Sequence, residues 1–254
     1  MTTTLIVLAH PERRSFNGAW ADATDRALRG QGDSVLWSDL NAMGFDPVEA
    51  PSHYDRPGDP APFDVLKAQE AAAKANALPA DVTAEIDKIR RADRIVFHFP
   101  LWWFAPPAML KGWSERVLAN GALHDADERF DAGRCRGKTA LFCVTTGSKA
   151  AESGHDGKEG DVSMLLWPLA YTLRYLGFDV LEPRVVHGVH GYHKGAAKQA
   201  LEQRLHAVLE DHPKTIADFD RLPRIAFNRD TEFDADGRLR PEAHSHSLFI
   251  RHRP

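Results

Sequence analysis

The sequence has few cysteines, no excess of basic charge and no long apolar run. Its only cysteines, Cys135 and Cys143, lack the spacing of a metal site, so we expect two reduced thiols. The net charge is −4 and the 32 lysines and arginines are spread along the chain, which argues against nucleic-acid binding. No apolar run reaches the ~20 residues that a membrane-spanning helix needs, and the opening MTTTLIVLAH lacks the pattern of a secretion signal. We therefore expect a cytoplasmic protein without an integral membrane segment.

Five short apolar runs alternate with segments of helical spacing. The runs cover residues 4–9, 34–38, 94–99, 138–145 and 178–183. Continuous apolar runs of this length are typical of strands that are covered on both faces of a parallel sheet. Their alternation with helices predicts an α/β fold: a flavodoxin-like, doubly wound, parallel five-stranded sheet with helices on both faces. We expect the strand order 2-1-3-4-5 because it is common among such folds.

The segments between these runs predict the helices. The first ends near Gly30, and the second begins at Asp81, which is a candidate N-cap. Prolines 106–107 suit the start of a third helix, because the first turn of a helix needs no intrahelical N–H donors. Two more helices are predicted over 160–177 and 195–210.

Two segments interrupt or follow this alternation. Residues from about 39 to 80 contain prolines at 47, 51, 57, 60 and 62 and an alanine-rich stretch, which indicates an insertion. So long an irregular connection usually has a functional or interface role. Residues 212–254 show neither period clearly. The predicted organisation is one domain over 1–211 and a C-terminal extension over 212–254 that packs on the domain or on a partner subunit.

Three loops follow strands at the edge where open α/β sheets bind ligands. They cover 10–17 (HPERRSFN), 99–106 (FPLWWFAP) and 145–160 (TTGSKAAESGHDGKEG). Ligands in such folds lie outside the carboxyl ends of the strands, where the strand order switches. We therefore expect the three loops to meet in space and form one site.

The first loop has neither the glycine-rich dinucleotide motif nor a Walker motif. It does precede a helix N-terminus, whose free N–H groups and positive dipole could hold a phosphate beside His10, Ser15 and Asn17. The alternative is that Ser15 or Asn17 only caps the helix. Both interpretations remain open at this stage.

The other two loops indicate a flat ligand. The LWWF segment could be ordinary hydrophobic packing, but beside a phosphate-competent helix N-terminus it favours a flat aromatic cofactor that carries phosphate. The glycine of the TTG segment would let backbone N–H groups approach a heteroaromatic ring, although a plain turn uses the same residues.

The order of several long motifs resembles the NAD(P)H:quinone oxidoreductase family, the DT-diaphorase-like flavoproteins of flavodoxin-like fold. These motifs are LIVLAHPERRSFN, SDLNAMGFDPV, FPLWWFAPPAMLKGWSERV, VTTG and GDVSMLLWPLAYTLRYLGFDVLEP, and the resemblance runs from about residue 4 to 210. It implies a tightly held FAD rather than FMN, NADPH or NADH as co-substrate, and a quinone or related small molecule as acceptor. It also implies a homodimer with each site at the subunit interface.

The resemblance further implies which residues hold the cofactor. Those that match the pyrophosphate and adenine half are His10, Ser15, Phe16 and Asn17. Those that match the lining of the isoalloxazine ring are Pro100, Leu101, Trp102, Trp103 and Phe104. Those that match the edge of the ring are Thr145, Thr146 and Gly147. Val189 and Lys198 lie near family positions for the adenosine end.

In the family mechanism one pocket serves both substrates by a ping-pong exchange. NAD(P)H passes a hydride to the flavin and leaves, and the quinone then takes its place. The resemblance implies that Trp103 and Phe104 form the inner wall of this pocket, with Tyr175 from a partner subunit as a lid.

The loop after TTG departs from the family pattern. Well-known members carry a Tyr and a His there, and the matching positions hold Ser153 and Glu159. His155 lies between them and could replace the donor, because an unperturbed imidazole titrates near ~6.5. The alternative, a loop histidine without a role, stays open.

The motifs also leave two other functions and a metal site to consider. The family also includes ancillary regulatory subunits of potassium-efflux systems, and azo- or nitroreductases that share the site. His187, His190 and His193 have spacings that a metal site could use, but no neighbouring cysteine supports zinc, and we expect no metal.

Overall fold

A computed structural model describes residues 1–55 and 62–253 and contains one parallel sheet. Its strands are β1 (Thr3–Leu8), β2 (Ser34–Asp39), β3 (Arg94–Pro100), β4 (Thr139–Thr145), β5 (Asp179–Val180) and β6 (Arg184–Val186). The strand order is β2-β1-β3-β4-β5, so the predicted order 2-1-3-4-5 is confirmed. The fifth position is shared by two short strands, because β5 pairs with the start of β4 and β6 with its end.

Helices cover both faces of the sheet, as predicted. They are α1 (Phe16–Gly30), α2 (Val65–Lys74), α3 (Ala80–Arg91), α4 (Ala108–Val117), α5 (Val162–Tyr175) and α6 (Gly195–Ala217). Successive strand residues alternate between two cores, because side chains in a strand point to opposite faces. Leu5, Val7 and Phe97 pack with α3, α4 and α5, whereas Ile6, Leu8 and Val96 pack with α1 and α6.

The start of α3 differs from the prediction, which named Asp81 as its N-cap. The helix begins at Ala80 with Pro79 at the cap position, and Asp81 lies in the first turn. Its carboxylate accepts a hydrogen bond from the buried Arg116 at 2.8 Å. The side chain therefore binds a neighbouring helix instead of the free N–H groups of its own.

The predicted insertion contains a helix. The alanine-rich stretch forms α2, which is capped by Asp64 as its carboxylate accepts from the N–H of Lys67 at 3.2 Å. Gln69 of α2 is buried and donates to Glu49 and to the carbonyl of Glu115, which fastens the insertion to α4. The part of the insertion between 55 and 62 lies outside the described residues.

The last helix crosses the predicted boundary at residue 211. It continues through Pro213 to Ala217, and His212 and Ile216 are buried against the sheet. The segment that follows packs on α5, where Phe227 and Phe249 contact Trp167 with ring centroids 5.2 and 6.2 Å apart. The division of the chain at 211 stays a prediction. No helix in the described ranges combines the length and the apolar character that crossing a membrane requires.

Candidate functional site

Contacts between the three loops show that they meet at the carboxyl edge of the sheet. The hydroxyl of Thr145 donates to Oδ1 of the buried Asn17 at 2.9 Å, which joins the third loop to the first. The N–H of Leu101 donates to the carbonyl of Thr145 at 2.7 Å, which joins the second loop to the third. The rings of His10 and Trp102 meet edge to face at 5.7 Å. The predicted assembly of one site from these loops is present.

The N-terminus of α1 presents several donors that have no partner among the residues the structure describes. Ser15 is the N-cap and its hydroxyl accepts from the N–H of Gly18 at 3.2 Å, so the capping role is real. This cap leaves the N–H groups of Phe16 and Asn17 without acceptors in the described part of the chain. Nδ2 of Asn17 is also buried without a partner there. Three free donors at a positive helix end form a site that suits an anion.

Gly18 lets the first loop fold closely over this helix end. A Cβ at this position would lie 2.0 Å from the carbonyl oxygen of Arg13, which no side chain could tolerate. Only a glycine therefore fits between the loop and the first turn of α1. Sequence reasoning missed this role, because a glycine in the first turn of a helix gives no signal of what passes above it.

The two arginines of the first loop already bind carboxylates. Arg13 forms ion pairs with Asp22 at 2.5 Å and with Asp39 at 3.3 Å, and Arg14 pairs with Glu12 at 2.9 Å. Burial lowers the pKa of His10, more than its contacts with Glu12 raise it, so the neutral ring is favoured. His10 therefore offers a hydrogen-bonding ring beside Trp102 and not a fixed positive charge.

The second loop holds its aromatic side chains in the open. Trp102 and Ala105 exchange backbone hydrogen bonds of 3.0 and 3.2 Å, and the two residues between them, Trp103 and Phe104, have φ angles of 50° and 63°. Left-handed backbone is costly for bulky side chains. Trp103 is nevertheless 93% exposed and Phe104 is 55% exposed. A tight turn has thus aimed two large rings at solvent, which is the arrangement expected of a surface that covers a flat ligand.

A cavity of about 280 Å³ lies between the second and third loops and the start of α5. Its apolar wall is formed by Leu101, Trp103, Phe104, Val162 and Leu165, and its polar wall by Thr146, Gly147, Ser148, Ser153 and Glu159. A Cβ on Gly147 would meet no atom within 4 Å among the described residues beyond its two chain neighbours, so the glycine leaves open space at the cavity wall. Pro100 ends β3 directly beside Thr145. The cavity therefore combines an aromatic face with a polar edge.

The third loop contributes a connected set of hydroxyl groups to this cavity. Oγ1 of Thr146 lies 2.9 Å from Oγ of Ser148, which lies 2.5 Å from Oγ of the buried Ser153. Glu159 lines the cavity as well. His155 is exposed and does not line it, so the structure does not bring the expected proton donor to the aromatic wall. Its role as a donor stays a prediction.

The remaining predicted site residues differ in how close they lie to the three loops. Val189 is close, because its N–H donates to the carbonyl of Thr146 at 3.0 Å. Phe16 packs against Trp20 beside the first loop. Lys198 lies on α6, 3.7 Å from Glu202, without a contact to the three loops in the described residues. The rings of His190 and His193 stack at 3.9 Å, and no cluster of three metal-ligating side chains occurs in the described ranges.

Tyr175 lies in a different groove of the same chain. Its ring meets those of His124 and Phe130 edge to face at 5.2 and 4.9 Å. This groove, of about 460 Å³, is lined by Glu49, Val65, Leu66, Gln69, Ser114, Glu115, Leu118, His124, Thr172, Tyr175 and Leu176. It shares no lining residue with the cavity beside Trp103. A third and larger cavity, of about 960 Å³, lies along the alanine face of α2 and contains none of the three loops.

Sequence reasoning also missed the connected hydroxyl groups of the third loop and the contribution of α5. Ser148, Val162 and Leu165 have no distinguishing pattern in the sequence, and Ser153 stands out only as a departure from the family pattern. Their proximity arises because the N–H of Val162 donates to the carbonyl of Ser153 at 3.1 Å, which folds the loop back onto the helix start. A non-local contact of this kind has no signature in local spacing.

The fold and the site define the class of the protein. Residues 2–210 match a protein family described as having a flavodoxin-like fold. The chain therefore belongs to the flavodoxin-like family, as the alternation of strands and helices predicts.

Curated relatives narrow this class and confirm the resemblance found in the motifs. The chain is 39% identical over 214 residues to NAD(P)H dehydrogenase [quinone] 1 of Rattus norvegicus, covering 82% of this chain and 78% of that one. It is 40% identical over 183 residues to ribosyldihydronicotinamide dehydrogenase [quinone] of Homo sapiens, covering 71% and 79% of the two chains. A crystal structure of a candidate quinone reductase from Klebsiella pneumoniae has a TM-score of 0.82 at 30% identity and covers 95% of both chains.

Proposed function

We propose that this protein is an FAD-dependent oxidoreductase that transfers two electrons from NADPH or NADH to a quinone. The observation that carries this proposal is the pairing of exposed Trp103 and Phe104 with the free donors at the N-terminus of α1. A flavin with a phosphate-bearing tail needs a flat apolar surface and an anion site at one sheet edge, and both are present. The names of the relatives support the reaction class.

The residues divide the binding of the cofactor among the three loops. We assign the phosphates to the N–H groups of Phe16 and Asn17 and to Nδ2 of Asn17, with Ser15 holding the helix start in place. His10 and Trp102 form the wall beside them. The role of Lys198 and Val189 at the adenosine end belongs to the same proposal.

The ring of the cofactor is assigned to the cavity of the second and third loops. Pro100, Leu101, Trp103 and Phe104 give it an apolar face, and the backbone at 145–147 gives it a polar edge. When bound, a flavin supplies the hydride acceptor and the two-electron donor, which no side chain of the protein can supply. The protein positions the substrates against the apolar wall.

The charges of the first loop bear on whether NADH or NADPH is the reductant. The relatives include a dehydrogenase named for NAD(P)H and one named for ribosyldihydronicotinamide, at similar identity to this chain. Because Arg13 and Arg14 bind carboxylates of their own chain, no free cation of the first loop selects a 2′-phosphate. We therefore expect NADH and NADPH to be used at comparable rates. Azoreductases of known structure, at 16 and 17% identity, share only the fold.

We also propose a cytoplasmic homodimer. Both cysteines are free and buried, which suits a reducing compartment. Tyr175 faces a groove apart from the cavity of its own chain, so it can act as a lid only on the site of a second copy. The relatives give no support to the alternative of an ancillary subunit of a potassium-efflux system.

The visible spectrum of the purified protein tests the proposal. We expect a yellow protein that NADPH or NADH bleaches under anaerobic conditions and that a benzoquinone restores, and release of the cofactor should identify it as FAD. Replacing Trp103 with Ala should lower retention of FAD about tenfold or more and slow bleaching, because a large ring surface is lost. Leu248→Ala, which shortens an exposed apolar side chain outside the three loops, is the control. A colourless protein that takes up no added FAD would contradict the cofactor assignment.

A further inference from the structure

The hydroxyl groups of the third loop form a chain whose direction is fixed by its last acceptor. Oγ of Ser153 lies 3.1 Å from the carbonyl oxygen of Lys149, and a carbonyl can only accept, so Ser153 donates there. A hydroxyl has one hydrogen, so Ser148 must donate to Ser153 across their 2.5 Å contact. For the same reason Thr146 must donate to Ser148 at 2.9 Å. Every hydrogen of the chain therefore points away from Thr146.

This direction leaves Thr146 as an acceptor at the free end of the chain. Its oxygen accepts weakly from the N–H of Ser148 at 3.3 Å and has a further lone pair but no hydrogen to give. The backbone around it is held firmly, because Thr146 bonds to Val186 and Val189 through its own N–H and carbonyl. The hydroxyl groups can rotate while the backbone stays in place.

The chain can be reversed by rotation of three hydroxyl groups. In the reversed state Ser153 donates to Ser148, Ser148 donates to Thr146, and Thr146 gains a hydrogen to donate into the cavity. The only bond lost is the one from Ser153 to the carbonyl of Lys149. The chain also ends at that carbonyl, which cannot pass on a proton. It can therefore change the direction of its hydrogen bonds, but it cannot conduct a proton from solvent.

We propose that Thr146, Ser148 and Ser153 form a reversible hydrogen-bond chain that turns Thr146 from acceptor to donor when negative charge develops on the ligand of this cavity. The inference rests on the proposed function, since the ligand in question is the flavin. Thr146 would contact the ligand, and Ser148 and Ser153 are positioning residues that set the cost of turning. In this chain they occupy the loop in which His155 is exposed and away from the cavity wall.

The proposal predicts changes of opposite sign for two conservative substitutions. Thr146→Val removes the only hydrogen that the chain can present, so the reduced and more negative flavin should lose binding relative to the oxidised one. Ser153→Ala removes the link to the carbonyl of Lys149 that fixes the resting direction of the chain. The hydroxyl of Thr146 should then rotate to the donor state at lower cost, so the reduced flavin should bind more tightly relative to the oxidised one. Each change should alter the ratio of the two dissociation constants about five- to tenfold, as expected for one hydrogen bond.

The midpoint potential of the bound flavin measures this ratio directly. A tenfold change corresponds to about 30 mV for a two-electron couple. We expect the potential to fall in Thr146→Val and to rise in Ser153→Ala, with Ser148→Ala resembling the latter. Ser163→Ala, at a hydroxyl that makes no side-chain hydrogen bond in the described residues, should leave it unchanged.

The possible outcomes separate this inference from the proposed function. Shifts of the same sign in the two variants, or no shift in either, would overturn the chain while leaving a flavoprotein intact. Failure of the unaltered protein to bind FAD would overturn both. If Thr146→Val does not fold, the rise expected in Ser153→Ala and Ser148→Ala still decides the question, because an effect that came only from lost structure would weaken binding of both forms of the flavin.

Discussion

Two buried histidines connect α1, β3 and α6 through one threonine. The indole N–H of Trp20 donates to Nδ1 of His212 at 3.0 Å, so the hydrogen of His212 is on Nε2 and donates to Thr24 at 2.7 Å. Nε2 of His98 lies 3.0 Å from the same hydroxyl, and its Nδ1 has no partner among the described residues. These contacts and the burial of both rings favour the neutral form of each histidine.

Protonation of these rings should destabilise the fold. Burial lowers the pKa of His212 to about 4 and lowers that of His98 well below its ordinary value. Arg184 lowers the pKa of His212 further, and Asp211 opposes this. Below the unfolded value of 6.5 the unfolded chain therefore binds more protons than the folded one. The free energy of unfolding should fall as the pH drops from 6.5 towards 4, by up to about 1.4 kcal/mol per pH unit for each histidine.

Urea unfolding at several pH values between 7.5 and 4.5 would measure this loss. His212→Gln keeps an oxygen that can accept from the indole of Trp20 but cannot be protonated, so the pH dependence should decrease by about one proton. An unchanged slope in this variant would contradict the assignment of the loss to His212.

At the scale of elements, two glycines set how closely loops approach helices. A Cβ on Gly18 of α1 would lie 2.0 Å from the carbonyl oxygen of Arg13, and one on Gly112 of α4 would lie 2.0 Å from that of Pro47. For Gly30, at the end of α1, the same position has no atom within 4 Å among the described residues outside the adjoining helix backbone, and its φ is not positive. The same substitution, Gly to Ala, would therefore meet a close backbone contact at Gly18 and Gly112 and open space at Gly30.

Replacing each of these glycines with Ala tests this contact. Gly18→Ala should lower the free energy of unfolding by a few kcal/mol and should also weaken FAD binding, because the first loop must move away from the anion site. Gly112→Ala should lower stability by a similar amount through the insertion. Gly30→Ala should be neutral or stabilising by about 0.5 kcal/mol, because alanine favours the helix. Equal effects at Gly18 and Gly30 would contradict the close approach. Thermal unfolding with and without FAD gives both quantities.

The elements that could be predicted from sequence are those with a strong local pattern. The apolar runs of β1 to β4 could be located from the sequence, whereas their order in the sheet was predicted only from its frequency among such folds. β5 and β6 have two and three residues, too few to show a period. The extension of α6 past Pro213 depends on the burial of His212 and Ile216 against α1 and the sheet, which is a non-local cause.

The candidate site was predictable to the same extent. The motif around Trp103 predicted an aromatic surface at the sheet edge, and the loop before α1 predicted free donors at a helix N-terminus. The buried hydroxyl of Ser153 and the distance of His155 from the cavity were not accessible, because they depend on how the loop folds back onto the start of α5. Spacing along the chain does not contain that information.

At the scale of the whole molecule, one chain contains two separate halves of the proposed site. The cavity beside Trp103 and the groove beside Tyr175 share no lining residue. The groove contains apolar residues such as Leu66, which is 59% exposed, and the rings of Tyr175 and His124. If the homodimer forms each site from the cavity of one copy and the groove of the other, neither half is sufficient alone.

A mixture of two damaged chains would test this arrangement. Trp103→Ala disables the cavity of its own copy, and Tyr175→Ala disables the groove of its own copy. In a heterodimer one site combines both changes, whereas the other combines the intact cavity of one chain with the intact groove of the other. Unfolding and refolding the two variants together should therefore restore activity, up to about a quarter of the wild-type activity per chain, because random pairing makes about half of the dimers mixed and each has one intact site. Refolding each variant separately is the control. A mixture no more active than the average of its parts would show that Tyr175 does not complete the site of a partner.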